Sequence, residues 1–152
     1  MRRLARRPPS SGLSTISGTA SPAASNASDQ MVGAVDPASA IDFEVQLKPS
    51  GAAQSFATAV STPGNVAYGR FLTPAQWERA FSPTAGQVAQ ATSFLSNSGF
   101  KVTGVSADRM ALDASGTAAQ VEHAFATGMA YYDVAGTTLR LTNQDLSVPT
   151  AL

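Results

Sequence analysis

The strongest pattern in the chain is "IDFEVQL", where Ile41, Phe43, Val45 and Leu47 alternate with Asp42, Glu44 and Gln46. Successive side chains of a strand point to opposite faces, so this segment predicts a half-buried strand with one apolar and one polar face. "AAQSFATAV", Ala52 to Val60, predicts a short helix after it. Farther along, "KVTGV" and "RMALDA", separated by Ser106 to Asp108, read as a hairpin with Met110 and Leu112 inward and Arg109 and Asp113 outward. "AYYDV" and "TTLRLTN" flank Ala135 and Gly136 and read as a closing hairpin or strand pair. One of Tyr131 and Tyr132 belongs in the core and the other points out, but the pattern does not fix which.

Three segments share one formula, Thr-x-x-Gln followed by an apolar residue: Thr73 to Trp77, Thr84 to Val88 and Thr117 to Val121. This is the capping box, in which the Thr oxygen accepts from the N–H three residues on and the Gln side chain reaches back to the N–H of the cap. Each therefore predicts a helix start. Pro74 suits the first helical position, and Leu72 and Trp77 have the spacing of a hydrophobic staple. The middle helix carries Val88, Ala91 and Leu95 on one face and ends at Gly99, with Phe100 placed to fold back onto Leu95 in a Schellman motif. In the third, Val121, Ala124, Phe125 and Met129 form the apolar stripe.

The resulting order is strand, helix, inserted short helix, helix, strand, strand, helix, strand or hairpin. Apart from the insertion, this is an α+β arrangement: a ferredoxin-like split βαββαβ sandwich, an antiparallel sheet with helices on one face and the other face open. Asp42, Glu44, Gln46, Arg109, Asp113 and Arg140 are the candidate partner-binding residues of that open face. The two helix starts 33 residues apart are too few for a solenoid.

Composition divides the chain. Residues 1–40 contain no Phe, Tyr or Trp and are rich in Ser, Ala and Pro, whereas all seven Phe, three Tyr and the one Trp lie between Phe43 and Tyr132. We expect a disordered basic tail over 1–40, a folded domain over 41–146 and the start of a linker at 147–152. The first forty residues hold Arg2, Arg3, Arg6 and Arg7 against Asp29 and Asp36, leaving six bases and eight acids for the rest. A domain of that balance is poorly suited to nucleic acid, and "RMALDA" has no aromatic on which a base would stack. No stretch reads as a membrane span, and the residues after the arginines are too polar for a secretory signal.

The chemistry is equally bounded. Without cysteine there is no disulfide or thiolate site, and one His with no paired acidic motif argues against zinc, so no cofactor is expected. "DASGTAAQVEHAF" places Ser115 and Thr117 near His123, a grouping that raises nucleophilic catalysis. The capping formula assigns Thr117 to a helix start and Ser115 to the turn before it. His123 lies about 200° from Val121 around the helix, on the solvent side. The chain is therefore read as not an enzyme.

The run from Asn65 to Gly104 resembles the activation domain that precedes the catalytic domain of sedolisin-type, kumamolisin-like serine-carboxyl peptidases. The resemblance is carried by Tyr68, Phe71-Leu72-Thr73, Phe81, Pro83, Phe94-Leu95, Gly99-Phe100, Gly116-Thr117-Ala118, Val121, Ala124-Phe125 and Tyr131, and extends over about Ile41 to Leu152. It implies a ferredoxin-like, secreted prodomain whose partner is the catalytic domain of such a peptidase, in cis or in trans. It further implies assisted folding of the peptidase, and inhibition until removal in acid. The family's nucleophile sits in a Ser-Gly-Thr-Ser motif of the following domain; both "SGTA" strings here end in alanine, at Ala20 and Ala118, so no catalytic or calcium-binding residue carries over. A free-standing ferredoxin-like binding module or inhibitor without its own peptidase is the alternative.

Overall fold

All three Thr-x-x-Gln segments open helices in the computed structural model, which describes residues 12–26 and 30–150. Helix α1 spans Ala52–Ser61, and α2 (Pro74–Phe81), α3 (Ala85–Asn97) and α4 (Ala118–Phe125) follow. In each of the last three the cap is reciprocal. The Gln Oε1 accepts from the Thr N–H at 2.9, 2.8 and 2.7 Å, and the Thr Oγ1 accepts from the Gln N–H at 3.3 Å. Two donors left open by helix geometry are thus satisfied at each start. The end of α3 is equally specified. Gly99 adopts φ 90°, Phe100 N–H donates to Leu95 O at 3.0 Å, and Gly99 N–H donates to Ser96 O at 3.0 Å, completing the Schellman pattern.

The strands are β1 (Leu13–Ile16), β2 (Gln30–Ala34), β3 (Ala40–Gln46), β4 (Lys101–Val105), β5 (Ala111–Thr117), β6 (Met129–Val134), β7 (Thr137–Thr142) and β8 (Leu146–Pro149). Among the described residues this is an α+β fold with four α-helices and three antiparallel sheets. The chain divides into two units, one comprising Ala40–Gly116 and the other the residues up to Ser39 together with those from Thr117 onward.

In the Ala40–Gly116 unit the sheet order is β3-β5-β4, the strand arrangement of a split βαββ half. Its core gathers Ile41, Leu112 and Ala114 from the sheet with Ala91 and Leu95 from α3, and Phe100 meets Phe43 edge-on at 5.0 Å. A second cluster joins α1 to α2: the Phe56, Trp77 and Phe81 rings lie 4.6 to 6.4 Å apart between centroids. Such tilted and edge contacts suit the aromatic quadrupole.

In the other unit β6 pairs with β2 on one side and β7 on the other, while β1 pairs with β8. β1 and β2 therefore fall inside the stretch read from composition as a tail, and β8 straddles the boundary at which a linker was expected to start, with Leu146 before it and Ser147 to Pro149 beyond it. Residues 1–11, 27–29, 151 and 152, including the four N-terminal arginines and Asp29, lie outside the described residues. β1 and β8 are held partly by Asp145, whose Oδ1 accepts from Thr19 N–H at 2.9 Å and Ala20 N–H at 2.8 Å. The Thr19 hydroxyl oxygen in turn accepts from Leu146 N–H at 2.8 Å. The β6–β7 register settles the tyrosines, with Tyr132 buried and Tyr131 half-exposed.

The two-residue turn between β6 and β7 places both Ala135 and Gly136 at positive φ, 51° and 81°. That geometry fits the right-handed twist of the strands but favours Gly or Asn over a residue with a Cβ. Ala135→Asn is expected to raise stability by up to about 1 kcal/mol, measured as an upward shift of the thermal unfolding midpoint. An unchanged or lower midpoint would contradict strain at this turn.

Candidate functional site

The alternation read in β3 is present as burial: Ile41, Phe43 and Val45 are buried or half-buried, and Asp42, Glu44 and Gln46 are exposed. On the adjacent strand β5, Leu112 and Ala114 are buried and Asp113 is exposed. These four residues thus belong to one sheet, where a period of two directs them away from the core. Gln46 Nε2 donates to Glu44 Oε1 at 3.1 Å. Asp113 is paired in register with Gly104 of β4, and a Cβ at Gly104 would lie 2.8 Å from Asp113 Oδ2. The carboxylate is accommodated because the facing residue has no side chain.

Two of the six predicted residues are placed elsewhere. Arg109 precedes β5 in the hairpin turn, with φ 60°, and its Nε donates to Pro83 O at 2.7 Å. Arg140 is exposed on β7, in the other unit. Ser115 also differs from expectation: it lies within β5 opposite Lys101, not in a turn. The strand continues directly into the cap residue Thr117, so no turn residues are needed. His123 is exposed on α4.

Sequence reasoning missed two features. Lys101 is exposed on β4 and adds a cation to the otherwise acidic sheet; its alternation with Thr103 and Val105 was available as a signal. The segment between α1 and α2 exposes Val66 (91%), Phe71 (71%) and Tyr68 (55%). It is nonetheless tied down: Gly69 N–H donates to Val60 O at 3.0 Å, and Asn65 Oδ1 accepts from Ala67 N–H at 2.9 Å. Aromatics with no periodic partner were its signature in the sequence.

The hairpin turn is a compact polar knot. Asp108 Oδ1 accepts from the Ser106 hydroxyl at 2.6 Å and from Met110 N–H at 3.0 Å, and Ser106 Oγ accepts from Ala111 N–H at 2.9 Å. The Ser106 hydroxyl, then the Met110 N–H, hold the Asp108 carboxyl below its ordinary value of 3.8. A lowered pKa means that the contribution is complete above the ordinary value and fades as pH falls through the lowered one. The Met110 amide is therefore expected to remain protected above about pH 4 and to lose protection only in stronger acid. Its exchange rate by NMR checks this; loss of protection near neutral pH would contradict it.

Among the described residues no group of three or more His, Cys, Asp or Glu is arranged to hold a metal, and no helix is long and apolar enough to cross a membrane. The described residues of the Ala40–Gly116 unit thus present an acidic sheet face and an exposed loop carrying Tyr68 and Phe71.

Comparison with known proteins names the class. Residues 28–152 match the family described as pro-kumamolisin, activation domain, and the chain belongs to that family. It is 30% identical over 112 residues to xanthomonalisin of Xanthomonas sp. (strain T-22), an alignment covering 74% of this chain and 14% of that protein. It is 32% identical over 96 residues to sedolisin of Pseudomonas sp. (strain 101), covering 63% of this chain and 16% of that protein. The chain thus spans about one seventh of the length of these relatives.

Proposed function

We propose that the chain is the propeptide domain of a secreted sedolisin-type, serine-carboxyl peptidase: it assists folding of the catalytic domain and blocks it until removed in acid. The observation that carries this reading is the activation-domain match, which runs from residue 28 through both units. The exposed face is consistent with it. Asp42, Glu44, Gln46 and Asp113 offer acceptors to cationic and donor groups of a partner, with Arg109 and Arg140 as further contacts from outside that sheet. Exposed Phe71, Tyr68 and Val66 supply apolar contact of the kind that marks protein interaction sites.

Electrostatic pairing with a partner also supplies acid release. A carboxylate whose pKa is lowered by a cation in a complex contributes above its free pKa, and that contribution disappears as pH falls through the lowered value. Assisted folding is tested by refolding a sedolisin-type catalytic domain from denaturant with and without the chain in trans. The proposal expects a higher yield of folded peptidase when the chain is present. Equal yields would remove the folding role.

A further inference from the structure

The Ala40–Gly116 unit holds a cleft of about 370 Å³ lined by residues of α2, the end of β3 and the β4–β5 turn. Trp77, Leu47 and Met110 give it aromatic and apolar walls, and its charged lining residues, Glu78 and Asp108, are both acids. Asp108 uses Oδ1 for the Ser106 hydroxyl and the Met110 N–H, leaving Oδ2 for another donor. Ser82 also lines the cleft, and its Oγ is buried without a hydrogen-bond partner among the described residues. The nearby cation Arg109 does not line the cleft, and its Nε is engaged by Pro83 O.

We propose that this cleft binds the arginine side chain of a partner polypeptide. Two carboxylates call for a cation. Apolar walls beside them call for an aliphatic stem, the combination found in long basic side chains, which bury the stem and keep the charged head among polar groups. The indole of Trp77 favours a planar guanidinium over an ammonium, because the guanidinium stacks on aromatic faces and carries five donors in a fixed fork. Glu78 and Asp108 Oδ2 are acceptors for that fork. The inference goes beyond the propeptide reading and does not depend on it.

Trp77 is the chain's single tryptophan, so its fluorescence reports occupancy directly. The full chain is titrated with acetyl-Ala-Arg-Ala-amide and with the same peptide carrying lysine or neutral citrulline in place of arginine. A saturable change in Trp77 emission with a millimolar or tighter dissociation constant is expected for arginine, a weaker one for lysine and none for citrulline. Glu78 is exposed on α2, so Glu78→Gln is expected to keep the fold by circular dichroism while weakening the arginine peptide by about threefold or more. No saturable change with the arginine peptide, an equal response to citrulline, or unaltered binding in a folded Glu78→Gln protein would overturn the proposal. Equal affinity for lysine would overturn the guanidinium assignment.

Discussion

Replacing Leu112 by alanine is expected to lower the unfolding free energy by about 2–5 kcal/mol. Leu112 is 0% exposed and sits on β5, the middle strand of the β3-β5-β4 sheet, where there is little freedom for neighbours to collapse into the space vacated. Such a loss is a large fraction of the roughly 5–15 kcal/mol that ordinarily stabilises a domain. Asp113, the next residue on the same strand, points outward, and Asp113→Ala is expected to change stability by no more than about 0.5 kcal/mol. Urea unfolding of the two variants tests the alternation directly. Similar midpoints would mean that the strand does not divide core from surface as described.

The second large effect is expected on partner binding. Changing Asp42→Asn, Glu44→Gln and Asp113→Asn together removes three exposed carboxylates while preserving side-chain size and strand geometry. If those groups pair with cations of a peptidase, inhibition in trans near neutral pH should weaken by about tenfold or more. The residual inhibition should depend less steeply on pH, since the groups whose protonation breaks the attraction are gone. Inhibition curves of the triple variant across pH check both points. A profile superimposable on that of the unaltered chain would place the acid response elsewhere.

The parts of this fold legible in the sequence are those specified by local chemistry. Thr73, Thr84 and Thr117 each announce a helix because a cap needs an oxygen at one position and an amide three residues on. Gly99 announces an end because its φ of 90° is costly for residues with a Cβ. Ile41 to Leu47 announces a strand because burial on one face imposes a period of two. β1, β2 and β8 carry no such mark. Every residue of β1 is exposed, and the strand is joined to β8 through backbone pairing and the Asp145 carboxylate, neither of which leaves an apolar periodicity.

The candidate face divides along the same line. Asp42, Glu44, Gln46 and Asp113 were legible because alternation alone fixes their side of the sheet. Arg109 was not, because the strand begins at Ala111 and the arginine belongs to a left-handed turn position that its residue type does not advertise. Arg140 is exposed on β7, but so are Thr137, Thr138 and Leu139, and pattern cannot say that β7 pairs with β6 in a sheet separate from β3-β5-β4. The cleft beside Trp77 draws on residues from Gln46 to Ala111, and no single window of sequence contains it.

The central claim is that this domain restrains a sedolisin-type peptidase, and the most direct measurement is steady-state hydrolysis by such a catalytic domain as the purified chain is added. We expect saturable inhibition near neutral pH that fades as the pH is lowered into the range where carboxylates protonate. Undiminished peptidase activity at every concentration of chain and every pH would contradict it.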